Sequence, residues 1–166
     1  NFYAIIDPQK NFSGIQDFTA SQIIQYSQKI REQINKRYPN KFIHPEDSSI
    51  KNVTHLLWSG TPIHEGSDGR NAVFYGDKAI DRSPCGTGTS ARLAQLHAKG
   101  KLKKGVEFIH ESFIGSTFVG CVEEETTLGD FPAIIPSIKG WAKVYGHNTI
   151  IIDDEDDPYA HGFSVI

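Results

Sequence analysis

The chain has no methionine, only two cysteines and no long apolar run. Each absence closes off a class of protein. No stretch approaches the roughly 20 apolar residues needed to cross a bilayer, so no membrane helix is expected. With Cys85 and Cys121 as the sole cysteines, there is no disulfide framework of the kind that holds small secreted domains. That pattern points to a reducing compartment, and a cytoplasmic location is expected. No leader-like segment opens the sequence, which begins inside the strand-like stretch Phe2 to Ile6 without an initiator methionine. A cleaved or truncated chain is therefore expected. The formal charge is a mild −3 and the basic residues are scattered, with no Lys/Arg stripe interleaved with aromatics. No nucleic-acid partner is expected. Two glycosylation-type triplets, Asn11-Phe12-Ser13 and Asn52-Val53-Thr54, read as chance matches because nothing indicates secretion.

What is present suits one ordinary domain: 166 residues, 38% of them hydrophobic, are enough to build a core. Phe2–Ile6 reads as a strand ended by Asp7-Pro8. Thr19 or Ser21 caps an amphipathic outer helix to about Tyr38, with Ile23, Tyr26 or Ser27, Ile30 and Ile34 on its apolar face. Val53–Trp58 reads as a strand with Val53, His55 and Leu57 on one side and Thr54, Leu56 and Trp58 on the other. A long loop from Gly60 to Arg70 precedes the apolar strand Asn71–Gly76. Further strands are expected at about Val106–His110, Thr117–Glu123, Pro132–Ile138, Trp141–Tyr145 and Thr149–Ile152. Many short strands around two helices, without βαβ alternation, argue for an α+β fold. No internal repeat stands out.

The stretch that organises the chain is Asp81-Arg82-Ser83-Pro84-Cys85-Gly86-Thr87-Gly88-Thr89-Ser90-Ala91. Pro84 lacks an N–H and restricts Ser83, so a regular strand ends there. Gly86 and Gly88 permit backbone conformations and close approaches that a side chain would block. A helix is expected from about Thr89 to Lys99, with little polar surface, hence well buried, and Gly100 placed as its C-terminal cap. The unpaired N–H groups of its first turn form an anion site, and their field favours thiolate at Cys85. A thiol and a carboxylate-sized anion site are thus held side by side.

These residues resemble the second active-site motif of the proline racemase / 4-hydroxyproline epimerase family. Other stretches agree, in family order: Asn1-Phe2-Tyr3-Ala4-Ile5, Gly100-Lys101-Leu102, Glu111-Ser112-Phe113-Ile114-Gly115-Ser116, and Ile152-Asp153-Asp154 through Asp157-Pro158 to Gly162-Phe163. One departure matters. The family works with two cysteines, the first in an N-terminal motif of the Met/Pro-Cys-Gly-His type, and none is present here. The chain therefore resembles the C-terminal half of a two-domain enzyme, a single domain over residues 1–166. The resemblance implies a curved mixed sheet wrapped around a buried central helix, a diaminopimelate epimerase-like half.

The family resemblance also implies roles. Proline is a secondary amine and cannot form the ordinary imine of pyridoxal-dependent racemases, so inversion of its α-carbon without a cofactor needs a base on one face and an acid on the other. Cys85 is implied as one of these, its counterpart lying in the missing N-terminal half. The amides of Gly86, Thr87 and Gly88 cradle the substrate carboxylate, while Asp81 pairs with the ring ammonium. His55 matches a substrate-contacting histidine, though a lone strand histidine is also an ordinary core residue. Tyr75 matches a pocket position where aromatic bulk suits proline and a hydroxyl suits 4-hydroxyproline, leaving the substrate open. No metal or cofactor is implied. Cys121, between Gly120 and Val122 with no such setting, reads as a packing residue.

Rival readings stay beside this one. Gly86 to Ala91 satisfies the dinucleotide fingerprint, but a strand should run directly into its first glycine. A cysteine hydrolase would need His55 or His97 to take the thiol proton. A related imino-acid dehydratase branch replaces the motif cysteine, which retention of Cys85 disfavours. The chain alone is expected to be inactive, and a non-catalytic module that binds or homodimerises is the alternative from another class. The acidic run Asp153–Asp157 lacks calcium-loop spacing and reads as a solvated turn.

Overall fold

A computed structural model describes residues 1–9 and 12–162. Asn11 of the first glycosylation-type triplet and Phe163 of the last family-like stretch lie outside the described residues. The elements run β1 (Phe2–Ile6), a 3-10 turn (Ile15–Asp17), α1 (Ala20–Arg37), β2 (Val53–Gly60), β3 (Gly69–Tyr75), β4 (Ala79–Ile80), α2 (Gly86–Ala98), β5 (Glu107–Glu111), β6 (Thr117–Leu128) and β7 (Phe131–Lys139). One mixed sheet takes the order β1-β2-β3-β5-β6-β7, with β4 paired to β3. β1 runs parallel to β2 and β3 parallel to β5, while the other pairs are antiparallel. α2 touches both β1 and β7, the two ends of this order, so the sheet curls. The α+β expectation holds.

α1 begins as its sequence dictates. Thr19 accepts from the Gln22 amide at 3.3 Å and the Gln22 side chain accepts from the Thr19 amide at 2.9 Å, a reciprocal capping box. Ile23 and Ser27 are its buried residues, and the Ser27 hydroxyl accepts the Trp58 indole N–H at 2.8 Å. Ile23 joins Leu56, Trp58, Ala72 and Phe74 in one core cluster. Residues alternate along a strand, so His55, Leu57, Asn71 and Val73 face the other way, toward α2. Val53 departs from the expected alternation. A register shift between Phe2 and Tyr3 on the partner strand lets Val53 join the α1 cluster instead of the His55 face.

α2 starts three residues earlier than expected, at Gly86, and ends as expected. Gly100 takes φ +67, its amide reaches the His97 carbonyl at 2.8 Å, and the Lys101 amide reaches Leu96 at 2.8 Å, closing a Schellman motif. Gly88, Thr89 and Leu93 are buried, whereas the rest of the helix is half-buried or exposed, so α2 buries one face rather than its circumference. Leu93 packs with Leu102, Phe108 and Val122 in a second cluster. Asp7, just past β1, accepts from Arg92 and Ser59 on one oxygen and from Gln95 and Lys99 on the other, tying the end of β1 to α2.

The strands expected at Trp141–Tyr145 and Thr149–Ile152 are not formed. An alternating sequence becomes a strand only against a partner edge, and these residues have none among the described residues, leaving Tyr145 and Ile151 exposed. The acidic run forms a turn closed by the Asp157 amide on the Asp153 carbonyl at 3.1 Å.

Candidate active site

The turn between β4 and α2 holds the cysteine motif. Cys85 is the N-cap of α2 and takes φ 65, a left-handed conformation that side chains rarely adopt. Neither Gly86 nor Gly88 takes the special backbone conformation open to glycine; both are in the first helical turn, and the strain sits on the cysteine. The close approach expected of these glycines is found at Gly88. A Cβ there would lie 2.9 Å from Val73 Cγ2 and 3.3 Å from the Cys85 sulfur, whereas one at Gly86 would meet nothing within 4 Å.

Both sides of the peptide leading into Cys85 are held. The Cys85 amide donates to Ser83 Oγ at 3.0 Å, and the Ser83 hydroxyl and amide each donate to Asp81 Oδ1 at 2.9 Å. Asp81 thus braces the turn with one oxygen and leaves the other without a hydrogen bond among the described residues. The Pro84 carbonyl is gripped by the buried Asn71 and Thr89, which in turn meet His110.

The Cys85 sulfur is half-buried and accepts the Gly88 N–H at 3.4 Å. The amides of Gly86 and Thr87 have no acceptor among the described residues, and both residues are exposed. The three amides expected as one cradle therefore divide into two open to an incoming anion and a third aimed at sulfur.

Tyr3, absent from the sequence-derived site, stands at its centre. Its hydroxyl lies 2.6 Å from Thr87 Oγ1 and 3.5 Å from the Cys85 sulfur. Burial first, and the bond to Cys85 second, push its phenol well above the ordinary tyrosine value. Tyr3 is paired with His55 across the β1–β2 ladder, and the two rings sit 4.9 Å apart. His55 Nδ1 shares a proton with Thr54 Oγ1 at 2.8 Å, and burial, helped by Arg31, lowers its pKa. Extending the Leu56–Phe74 register by one residue sets His55 opposite Tyr75. Tyr3, His55 and Tyr75 thus form a row across three strands, with Tyr75 partly open to solvent at its end. The signal for Tyr3 was a family-like stretch, but its place depends on a parallel register between distant strands, which no local pattern encodes.

His97 is at the far end of α2, bonded to the Leu102 carbonyl at 2.9 Å and paired with Glu125 at 3.1 Å, so it is not a base for Cys85. Cys121 lies on β6, its thiol donating to the Val122 carbonyl at 3.6 Å; burial, then Glu123, push its pKa up. No group of three or more His, Cys, Asp or Glu able to hold a metal occurs among the described residues. No described helix is long and apolar enough to cross a membrane.

Comparisons with known proteins agree on one family. The chain matches the proline racemase family over residues 1–164. It is 57% identical over 166 residues to the 4-hydroxyproline 2-epimerase of Spirosoma linguale, covering 100% of this chain and 49% of that protein. It is 59% identical over 165 residues to the 4-hydroxyproline epimerase of Brucella ovis, covering 99% of this chain and 49% of that one. Among solved structures, a hydroxyproline epimerase from Agrobacterium vitis with bound trans-4-hydroxy-L-proline is similar with a TM-score of 0.73 at 30% identity, over 98% of this chain and 46% of that one. A probable proline racemase from Agrobacterium radiobacter with bound carbonate matches with the same TM-score of 0.73 at 32% identity, again over 98% of this chain and 46% of that one. The chain thus spans about half the length of the curated relatives it matches. With a family match that takes in the cysteine turn and both helices, the chain belongs to the proline racemase family.

Proposed function

We propose that the chain is the C-terminal half of a two-domain, cofactor-independent racemase or epimerase that inverts the α-carbon of 4-hydroxyproline or proline. The names of the relatives at 57–59% identity favour 4-hydroxyproline. In this reading Cys85 is one of two acid/base cysteines, and the other approaches from the missing half. Taking the α-proton as a thiolate leaves negative charge that spreads onto the substrate carboxylate. The free amides of Gly86 and Thr87 bind that carboxylate and stabilise it as charge grows, while the Gly88 amide stabilises the thiolate. The second cysteine returns a proton to the opposite face. The unbonded oxygen of Asp81 and the imidazole of His55 hold the ring nitrogen, and the Tyr75 hydroxyl meets the substrate 4-hydroxyl. α2 serves as the central helix of this half, enclosed by the curled sheet. Cys121 takes no part.

The observation that carries this reading is the left-handed Cys85 at the start of α2, its sulfur bonded to Gly88 and flanked by two unpaired amides. The test is optical rotation with the full-length protein on trans-4-hydroxy-L-proline and, separately, on L-proline. Inversion of the first, abolished in Cys85→Ser with an unchanged circular dichroism spectrum, is expected. Normal turnover by Cys85→Ser would overturn the assignment. The 166-residue chain alone is expected to invert neither.

A further inference from the structure

The Cys85 sulfur, the Thr87 hydroxyl and the Tyr3 hydroxyl form a closed triangle. Its sides are 2.6 Å between the two oxygens, 3.5 Å from Tyr3 to sulfur and 3.6 Å from Thr87 to sulfur. Thr87 is two residues from Cys85, but Tyr3 is delivered by β1 from the other end of the sequence. It is held there by the parallel register with His55, by ring contact with His55, and by Asp7, which fastens the end of β1 to α2. Contacts with His55 and the Asp7 tie to α2 together bring this hydroxyl to the sulfur.

Hydrogen counting gives the triangle a function. When Cys85 is a thiol, three protons circulate among three heavy atoms, and each can donate to the next. When Cys85 is a thiolate, two hydroxyl protons remain. One hydroxyl then donates to the other, and the second donates to sulfur; rotating both O–H bonds exchanges the two orders. The sulfur therefore keeps one hydroxyl donor in addition to the Gly88 N–H. Donation to a thiolate is charge-assisted and stronger than donation to a thiol, so the pair favours the ionised form. Tyr3 is suited to this because its phenol resists ionisation and remains a donor.

We propose that Tyr3 and Thr87 act as a coupled hydroxyl pair that stabilises the Cys85 thiolate, making Tyr3 a further catalytic residue of this site. The proposal rests on Cys85 being the acid/base thiol, but its test reads thiol chemistry and is independent of turnover. The full-length protein is alkylated with iodoacetamide across a pH series, and modification of Cys85 and Cys121 is followed separately by peptide mass spectrometry. Tyr3→Phe and Thr87→Val are each expected to slow Cys85 alkylation at pH 7 by about threefold, since weaker ionisation is partly offset by higher intrinsic nucleophilicity. The pH of half-maximal rate should move upward in both. Thr87→Ser restores the hydroxyl and should restore the rate, while the double variant, which leaves the sulfur no hydroxyl donor, should be slower than either single one. Cys121 should be unaffected throughout. An unchanged Cys85 profile in Thr87→Val, or in a folded Tyr3→Phe, would overturn the proposal. Because Thr87 is exposed, Thr87→Val tests it even if Tyr3→Phe fails to fold.

Discussion

The side-chain amide of Asn71 donates to the Pro84 carbonyl at 2.9 Å, and that carbonyl opens the peptide leading into Cys85. Thr89 donates to the same oxygen at 3.3 Å and lies 3.0 Å from His110 Nδ1. All three side chains are buried, on β3, α2 and β5. A non-glycine residue in the left-handed region costs on the order of 1–3 kcal/mol and persists only where its surroundings over-determine it. Here the surroundings are this buried grip on one side of the peptide and the Asp81–Ser83 brace on the other.

Asn71→Ala should release the grip. We expect a loss of about 2–3 kcal/mol, from the broken buried bond and the space left behind, measured by urea unfolding. Cys85 alkylation should change at the same time, because the turn relaxes. A variant as stable as the parent, with unaltered alkylation, would mean that the peptide is held by other means.

His110 makes stability depend on pH. Burial first, and the Arg92 charge second, lower its pKa to about 3, so the folded protein keeps it neutral, with Nδ1 at 3.0 Å from Thr89 Oγ1 and 3.4 Å from the Asn71 side-chain nitrogen. The unfolded chain protonates it near the ordinary histidine value of about 6.5. Its stabilising contribution is therefore complete above that value and is lost as pH falls through the window down to about 3. Urea unfolding between pH 7 and 4 should show a downward slope approaching about 1.4 kcal/mol per pH unit from this one proton. His110→Gln should flatten it.

Glu111 is fully buried, and one oxygen accepts the amides of Ile63 and His64 at 2.9 and 3.1 Å, fastening the loop between β2 and β3. Its other oxygen is 3.6 Å from Arg70 Nε, too long for a hydrogen bond, so that contact is Coulombic. Glu111→Ala should cost about 3–5 kcal/mol by leaving Arg70 buried without its counter-charge. Combining it with Arg70→Met should recover part of that loss in thermal unfolding, since the stranded charge is gone.

The two glycines after Cys85 should respond in opposite ways. Gly86→Ala has open space and a helical backbone, so a gain of about 0.5–1 kcal/mol is expected. Gly88→Ala drives a methyl group into Val73 and the Cys85 side chain, with an expected loss of about 1–3 kcal/mol. Thermal unfolding of the pair decides it.

Local signals were read correctly where the controlling residues are neighbours in sequence. Thr19, one of two candidate caps, and Gly100 cap their helices within a turn, and β1, β2 and β3 carry enough apolar β-formers to be found alone. The sequence locates the turn before α2 but not its strain, because composition signals which residue tolerates a left-handed backbone, not which one is forced into it. Cys85 is forced. Trp141–Tyr145 has the alternation of a strand without an edge to pair with, a requirement that no single segment states. Tyr3 depended on the register of β1 beside β2, a relationship between segments about fifty residues apart.

That separation has a kinetic consequence. Parallel pairing of distant segments is among the slower steps in folding, so β1 is expected to dock against β2 late. Cys85 can enter its turn with β3 and α2 alone, but its tyrosine arrives only with β1. A chain caught part-way through refolding thus carries the thiol without the hydroxyl that completes its surroundings. Pulse alkylation during refolding should resolve two forms of Cys85, the second appearing as β1 docks. The first strand in the sequence acts as a late switch for the reactivity of a residue halfway along the chain.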